Sequence, residues 1–135
     1  MIHDSISMKE VQYMWEFTND RPVYIQIIDE ILARIANGVY QPGERIPSVR
    51  DLAAEARVNP NTMQRALSEV ERTGYIISLR TSGKFVTDNT ELINGLRNGQ
   101  AESVIRKFAD ELEKMGISIE DAISMLRKIA EDRNN

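Results

Sequence analysis

Asn61, Thr62, Gln64 and Arg65 follow directly on Asn59-Pro60. Each can donate or accept hydrogen bonds. A side-chain amide can pair with an adenine edge and a guanidinium with a guanine edge, so this group at the start of a helix suits reading bases in a major groove. Arg50, on the segment before, is placed to reach a flanking phosphate. Gly83 and Lys84, read as the tip of a polar hairpin, would let backbone approach a minor groove with a cation beside it.

Other chemistries are thinly supplied. The 135 residues contain no cysteine and one histidine, His3. That removes disulfides, thiolate nucleophiles and thiolate or histidine metal sites. No nucleophile–base pair remains, so no enzyme, cofactor or metal is expected. The acids Asp110, Glu111, Glu113, Glu120 and Asp121 point in different directions and read as solvated helix faces. No apolar run approaches the ~18 residues of a membrane span. The expectation is a cytoplasmic binding protein with no membrane partner.

The net charge of −4 argues against a polyanion until it is divided along the chain. Residues 45–84 hold seven basic side chains against four acidic ones, a local +3, whereas residues 88–135 hold seven against ten, a local −3. The basic footprint falls where the hydrogen-bonding cluster falls. Arg57 and Arg72, at helix ends that favour cations anyway, read as solvated.

The elements that must hold these groups are legible in period and punctuation. A first helix begins at Arg21-Pro22, carries Val23, Ile27, Ile28, Ile31, Leu32 and Ile35 on one stripe, and stops at Gly38. Gln41-Pro42-Gly43 reverses the chain. Ser48 caps a short second helix that ends near Arg57-Val58, and Asn59-Pro60 starts a third over residues 61–73. Met63, Ala66, Leu67 and Val70 form the buried face of the third helix. The period then changes to two: 75–79 reads as a strand, 80–84 as a hairpin tip and 85–87 as the return strand.

Two more helices follow. One spans about 90–115 and ends at Gly116, with Gly95 and Gly99 read as a fraying stretch. Ser118, with Asp121, caps the other. Their apolar stripes include Val104, Phe108, Leu112 and Met115 on one, and Ile119, Ile123, Leu126 and Ile129 on the other. Trp15 and Phe17 are expected to staple the entry segment to the core.

The fold expected is therefore mainly α with a small β-hairpin, a winged helix-turn-helix domain followed by a short two-helix tail. The divisions are 1–14, an extension or expression remnant; 15–87, the winged domain; and 88–135, the helical dimerisation tail. The tail stripes cannot close a core alone, and a second copy of the tail would cover them. That makes Val104, Phe108, Leu112, Met115, Ile123, Leu126 and Ile129 dimerisation residues.

Several motifs carry a family resemblance. They are Arg21-Pro22-x-Tyr24-x-Gln26-Ile27, Gln41-Pro42-Gly43-x-Arg45-Ile46-Pro47-Ser48-Val49-Arg50-Asp51-Leu52-Ala53, Val58-Asn59-Pro60-Asn61-Thr62 and Gly74-Tyr75-Ile76. Over residues 15–87 the chain resembles the GntR family of bacterial transcription regulators, and more narrowly its YtrA-type members. The resemblance implies a DNA-binding regulator, expected to be a repressor, with contacts at Arg50, Asn61, Thr62, Gln64 and Gly83 and a dimerising tail in place of a large effector domain. Two positions depart from the family pattern: Gly83-Lys84-Phe85 stands where many members carry Gly-x-Gly, and Gln64 stands where others carry arginine.

The function expected is a homodimer on an inverted-repeat operator in double-stranded DNA. A small-molecule effector is left open, with any gating expected between Thr87 and Gly99. The alternative is a winged-helix protein-interaction module that does not bind DNA.

Overall fold

The computed structural model describes residues 14–135. The expected N-terminal extension, with His3, therefore lies outside the described residues except for Met14. The chain divides into two compact units between Arg97 and Asn98.

In the first unit, α1 spans Val23–Ala36, α2 Val49–Ala56 and α3 Pro60–Arg72. Gly38 has φ +77° and its N–H bonds the Ile35 carbonyl while that of Val39 bonds Arg34, closing α1. Ser48 Oγ accepts the Asp51 N–H at 3.1 Å and opens α2. Arg57 closes α2 in the left-handed conformation, φ 58°, the one non-glycine residue with positive φ among those described.

The start of α1 is held differently. Gln26 is buried, and its amide nitrogen donates to the Thr18 and Arg21 carbonyls while its oxygen accepts the Thr18 N–H at 2.8 Å. One glutamine thereby satisfies the polar groups of the entry turn.

The core forms where the three helices meet. Ile27, Ile31 and Ile35 of α1 pack with Leu52 of α2 and with Met63, Leu67 and Val70 of α3, all essentially without exposure. Each such side chain contributes about 1.5–3 kcal/mol by leaving water, so α3 is fixed from two sides.

Strand β1, Ile76–Leu79, pairs antiparallel with β2, Gly83–Val86, with Ile76 opposite Val86 and Ser78 opposite Lys84. Ile76 and Val86 point into the core. The segment 43–46 joins the sheet from the other side. Gly43 N–H bonds the Val86 carbonyl, Ile46 N–H bonds that of Lys84, and Arg45 bridges Phe85. Sequence alone reads a turn at Gln41-Pro42-Gly43 and no pairing for the residues after it.

The helix α4, Thr90–Lys114, starts in the first unit and ends in the second. Ile93 is buried in the winged core and Leu96 packs against it. The first unit thus runs past the boundary expected at 87/88, because two apolar positions of α4 complete its core. Gly95 and Gly99 are helical rather than frayed, and open space surrounds both.

In the second unit, Gly116 (φ +75°) ends α4, with the N–H of Ile117 bonding the Leu112 carbonyl. Ser118 Oγ then caps α5, Ile119–Arg133, by accepting the Asp121 N–H. Ala122 is buried, but Val104 is 68% and Met115 69% exposed, and Phe108, Ile123, Leu126 and Ile129 are exposed as well.

Candidate nucleic-acid interface

Burial of one face of α3 dictates what the other presents. With Met63, Ala66, Leu67 and Val70 turned inward, Asn61, Gln64, Arg65 and Ser68 are exposed and Thr62 is half-buried. The helix begins cleanly: Asn59 Oδ1 accepts the Asn61 N–H at 2.8 Å, and Pro60 at the first position has no N–H to satisfy. Gln64 Nε2 donates to Ser68 Oγ at 3.0 Å, which sets the amide along the outward face. The Arg65 guanidinium lies 3.6 Å from the centre of the Tyr24 ring, which belongs to α1. Arg50 is exposed in the first turn of α2.

The seven cations of residues 45–84 separate by partner. Arg72 pairs with Glu69 at 3.0 Å and Lys84 with Glu71 at 3.1 Å. Among the described residues, Arg45, Arg50, Arg57, Arg65 and Arg80 form no ion pair with a carboxylate, and all five are exposed. Their charge faces solvent uncompensated. Arg57, expected to be solvated, is so; Arg72, also exposed, holds Glu69.

Lys84 is not at the wing tip. It lies inside β2, where its ammonium donates to Glu71 Oε2 and to Ser78 Oγ at 2.9 Å. The reading of 80–84 as the tip runs two residues too far, because Gly83 pairs with Leu79 as part of the ladder. The turn is 80–82, closed by Ser82 N–H on the Leu79 carbonyl. The Ser78 hydroxyl, with the Lys84 ammonium, holds the Glu71 carboxyl below its ordinary value. Lys84 ties the wing to the end of α3 instead of extending from it. The tip cation is Arg80.

Gly83 keeps a special backbone, φ +102°. Arg45 lies beside it, brought there by the pairing of 43–46 with β2. Arg45 and Arg80 were missed as candidates. Arg80 was legible as the cation nearest the turn, whereas Arg45 was not, since its position depends on a one-residue bridge.

A buried arginine also escaped the sequence. Arg34 is 4% exposed, its Nε donates to Glu30 at 2.9 Å, and Nη1 donates to Tyr40 Oη and Glu55 Oε1. Trp15 stacks on its guanidinium at 4.3 Å and donates its indole N–H to the same Glu55 oxygen. Burial pulls the Arg34 pKa down, but Glu30, Tyr40 and Glu55 hold it above its ordinary value. The cluster fastens the entry segment and α2 to α1, and Trp15 and Phe17 both pack on the core.

Among the described residues no cluster of histidines, cysteines or carboxylates could hold a metal ion, and no helix is long and apolar enough to cross a membrane.

Residues 23–86 match the model of the gntR family of bacterial regulatory proteins. An uncharacterised helix-turn-helix regulator, YhcF of Bacillus subtilis, is 32% identical over 86% of this chain and 96% of its own. The chain belongs to the GntR family. Its GntR relatives include the transcriptional repressor YtrA of Bacillus subtilis, 31% identical over 82% of this chain and 86% of that protein. A GntR-family regulator from Listeria monocytogenes superposes with a TM-score of 0.74 at 38% identity, covering 83% of this chain and 98% of the other. The DNA-binding domain of AraR, solved in complex with operator ORX1, matches 53% of this chain and 93% of its own with a TM-score of 0.50 at 26% identity. The chain is thus a GntR-family transcriptional regulator with a winged helix-turn-helix domain.

Proposed function

We propose that two copies of this regulator bind an inverted-repeat operator in double-stranded DNA and repress transcription by occupying it, in the cytoplasm and without a catalytic step. Asn61, Thr62, Gln64 and Arg65 read base edges in the major groove, and Arg50 holds a flanking phosphate. The backbone at Gly83 and the cation of Arg80 meet the minor groove, with Lys84 acting from behind as a brace. The observation that carries this reading is the outward face of α3, polar along its length and flanked by exposed cations that no carboxylate neutralises. Hydrogen-bonding groups left exposed beside uncompensated charge suit a polyanion that also presents donors and acceptors.

The apolar stripes of α4 and α5 favour the two-fold arrangement. Val104, Phe108, Met115, Ile123, Leu126 and Ile129 are all large apolar side chains left in water, and a second tail would cover them isologously. Leu112, on the same helical stripe, is half-buried. Two recognition helices related by that axis require half-sites about one or two helical turns apart.

The test is a binding titration at two salt concentrations. Its probe is a duplex recovered from a random-sequence pool by selection on the full chain. Binding that weakens steeply with salt, and that is lost when the half-sites are scrambled, supports the reading. Failure to enrich any duplex overturns it and leaves the fold as a protein-interaction module.

A further inference from the structure

We propose that Tyr24 is a positioning residue for base reading, a platform on α1 that presents the Arg65 guanidinium to DNA. This rests on the reading of Arg65 as a base contact. Tyr24 is half-buried against the winged core, so its ring is fixed. The Arg65 guanidinium lies 3.6 Å from the ring centre, within cation–π range.

Among the described residues Arg65 forms no ion pair and no side-chain hydrogen bond, unlike Arg72 about two turns further along α3, which Glu69 holds. Stacking occupies only the face of the guanidinium. The N–H groups project from its edge, in the plane, and remain free to donate. Guanine requires two parallel donors in one plane, and a flexible arginine must otherwise freeze several torsions to supply them. A carboxylate partner would consume those donors. An aromatic partner orients them and consumes none.

Gln64 and Arg65 are then set by two unlike devices. Ser68, on α3 itself, holds the first. The second depends on a different helix, so the packing of α1 on α3 enters the specificity of the reader.

The experiment measures affinity of the full chain for the selected duplex and for the same duplex scrambled under α3. Tyr24→Leu should weaken binding to the selected duplex about two- to fivefold, the size of one exposed cation–π contact, and leave the scrambled duplex unchanged. Tyr24→Phe, which keeps the ring face, should bind as the parent does. In an Arg65→Ala background, Tyr24→Leu should add no further loss.

Equal loss on both duplexes, failure of Tyr24→Phe to retain affinity, tighter binding by Tyr24→Leu, or additive losses in the double variant would each overturn the proposal. If Arg65→Ala itself binds the selected duplex as the parent does, the underlying assignment of Arg65 fails. That result is distinct from one in which Arg65→Ala weakens binding and Tyr24→Leu does not.

Discussion

A Cβ at position 83 would stand 2.9 Å from Nε of Arg45, so the arginine occupies the space that only glycine leaves open there. Two demands converge on Gly83, a φ of +102° and a neighbouring guanidinium. The guanidinium is the end of a flexible side chain and can swing aside. The backbone cannot relax without breaking the pairing with Leu79. Gly83→Ala should therefore cost about 1–3 kcal/mol from backbone strain alone, read as a lower urea midpoint with an unchanged slope. An unaltered midpoint would mean that the wing adjusts its φ freely.

Base and phosphate contacts should separate by their response to sequence. Asn61→Ala is expected to cost about 1–3 kcal/mol on the selected duplex and to relax preference at one base position. Arg50→Ala should weaken every duplex alike and reduce the logarithmic salt slope by about 1. A loss at Arg50 that varies with sequence would move it into the base-reading group.

The tie between wing and α3 depends on charge. The Glu71 carboxyl titrates below its ordinary value when folded, so its stabilisation is present above about pH 4.3, the unfolded value, and is lost as pH falls through the lower folded one. Glu71 and Lys84 are both partly exposed, which limits the effect to about 0.5 kcal/mol. Thermal midpoints measured from pH 6 down to about pH 3 should fall less steeply for Glu71→Gln than for the parent. Parallel curves would show that the contact contributes nothing.

The tail stripe has a direct test. Phe108→Asp places a charge in the proposed two-fold interface without touching the winged core. Sedimentation should show a dimer for the parent and a monomer for the variant at micromolar concentration, with operator affinity falling in step. A dimeric variant would place the interface elsewhere. Removing the tail after Asp88 is a poorer test, because it also takes Ile93 out of the first unit's core.

What the sequence made legible was local. Stripes such as Ile27-Ile31-Ile35 and Met63-Leu67-Val70, and caps such as Ser48, Asn59 and Gly116, depend on residues a few positions apart, and the five described helices follow them. What it hid was tertiary. The bridge from Arg45 to Phe85 spans forty positions and a single residue pair, too short to leave a period. The register that draws Gly83 and Lys84 into β2 is set by pairing partners rather than by turn composition. Arg34 sits on the apolar face of α1, where burying a charge is costly, and partners from other segments, Tyr40, Glu55 and Trp15, join Glu30 in making its burial tolerable. At the candidate site, the residue types on α3 were readable, whereas the Tyr24 platform and the Lys84 brace came from other elements.

The two open glycines of α4 carry a consequence for how the chain comes apart. Gly95 and Gly99, with Asn94 and Asn98 beside them, are exposed and poor helix formers, and no side chain meets either glycine. Each glycine costs its helix about 1 kcal/mol relative to alanine, and nothing packed against it returns that. Past Leu96, which packs on the core, the hydrogen-bond ladder has little beyond propensity to hold it. Its amides should exchange with deuterium far sooner than those of Ile31 or Leu67, and a protease at low concentration should cut there first. Gly95→Ala with Gly99→Ala should slow both.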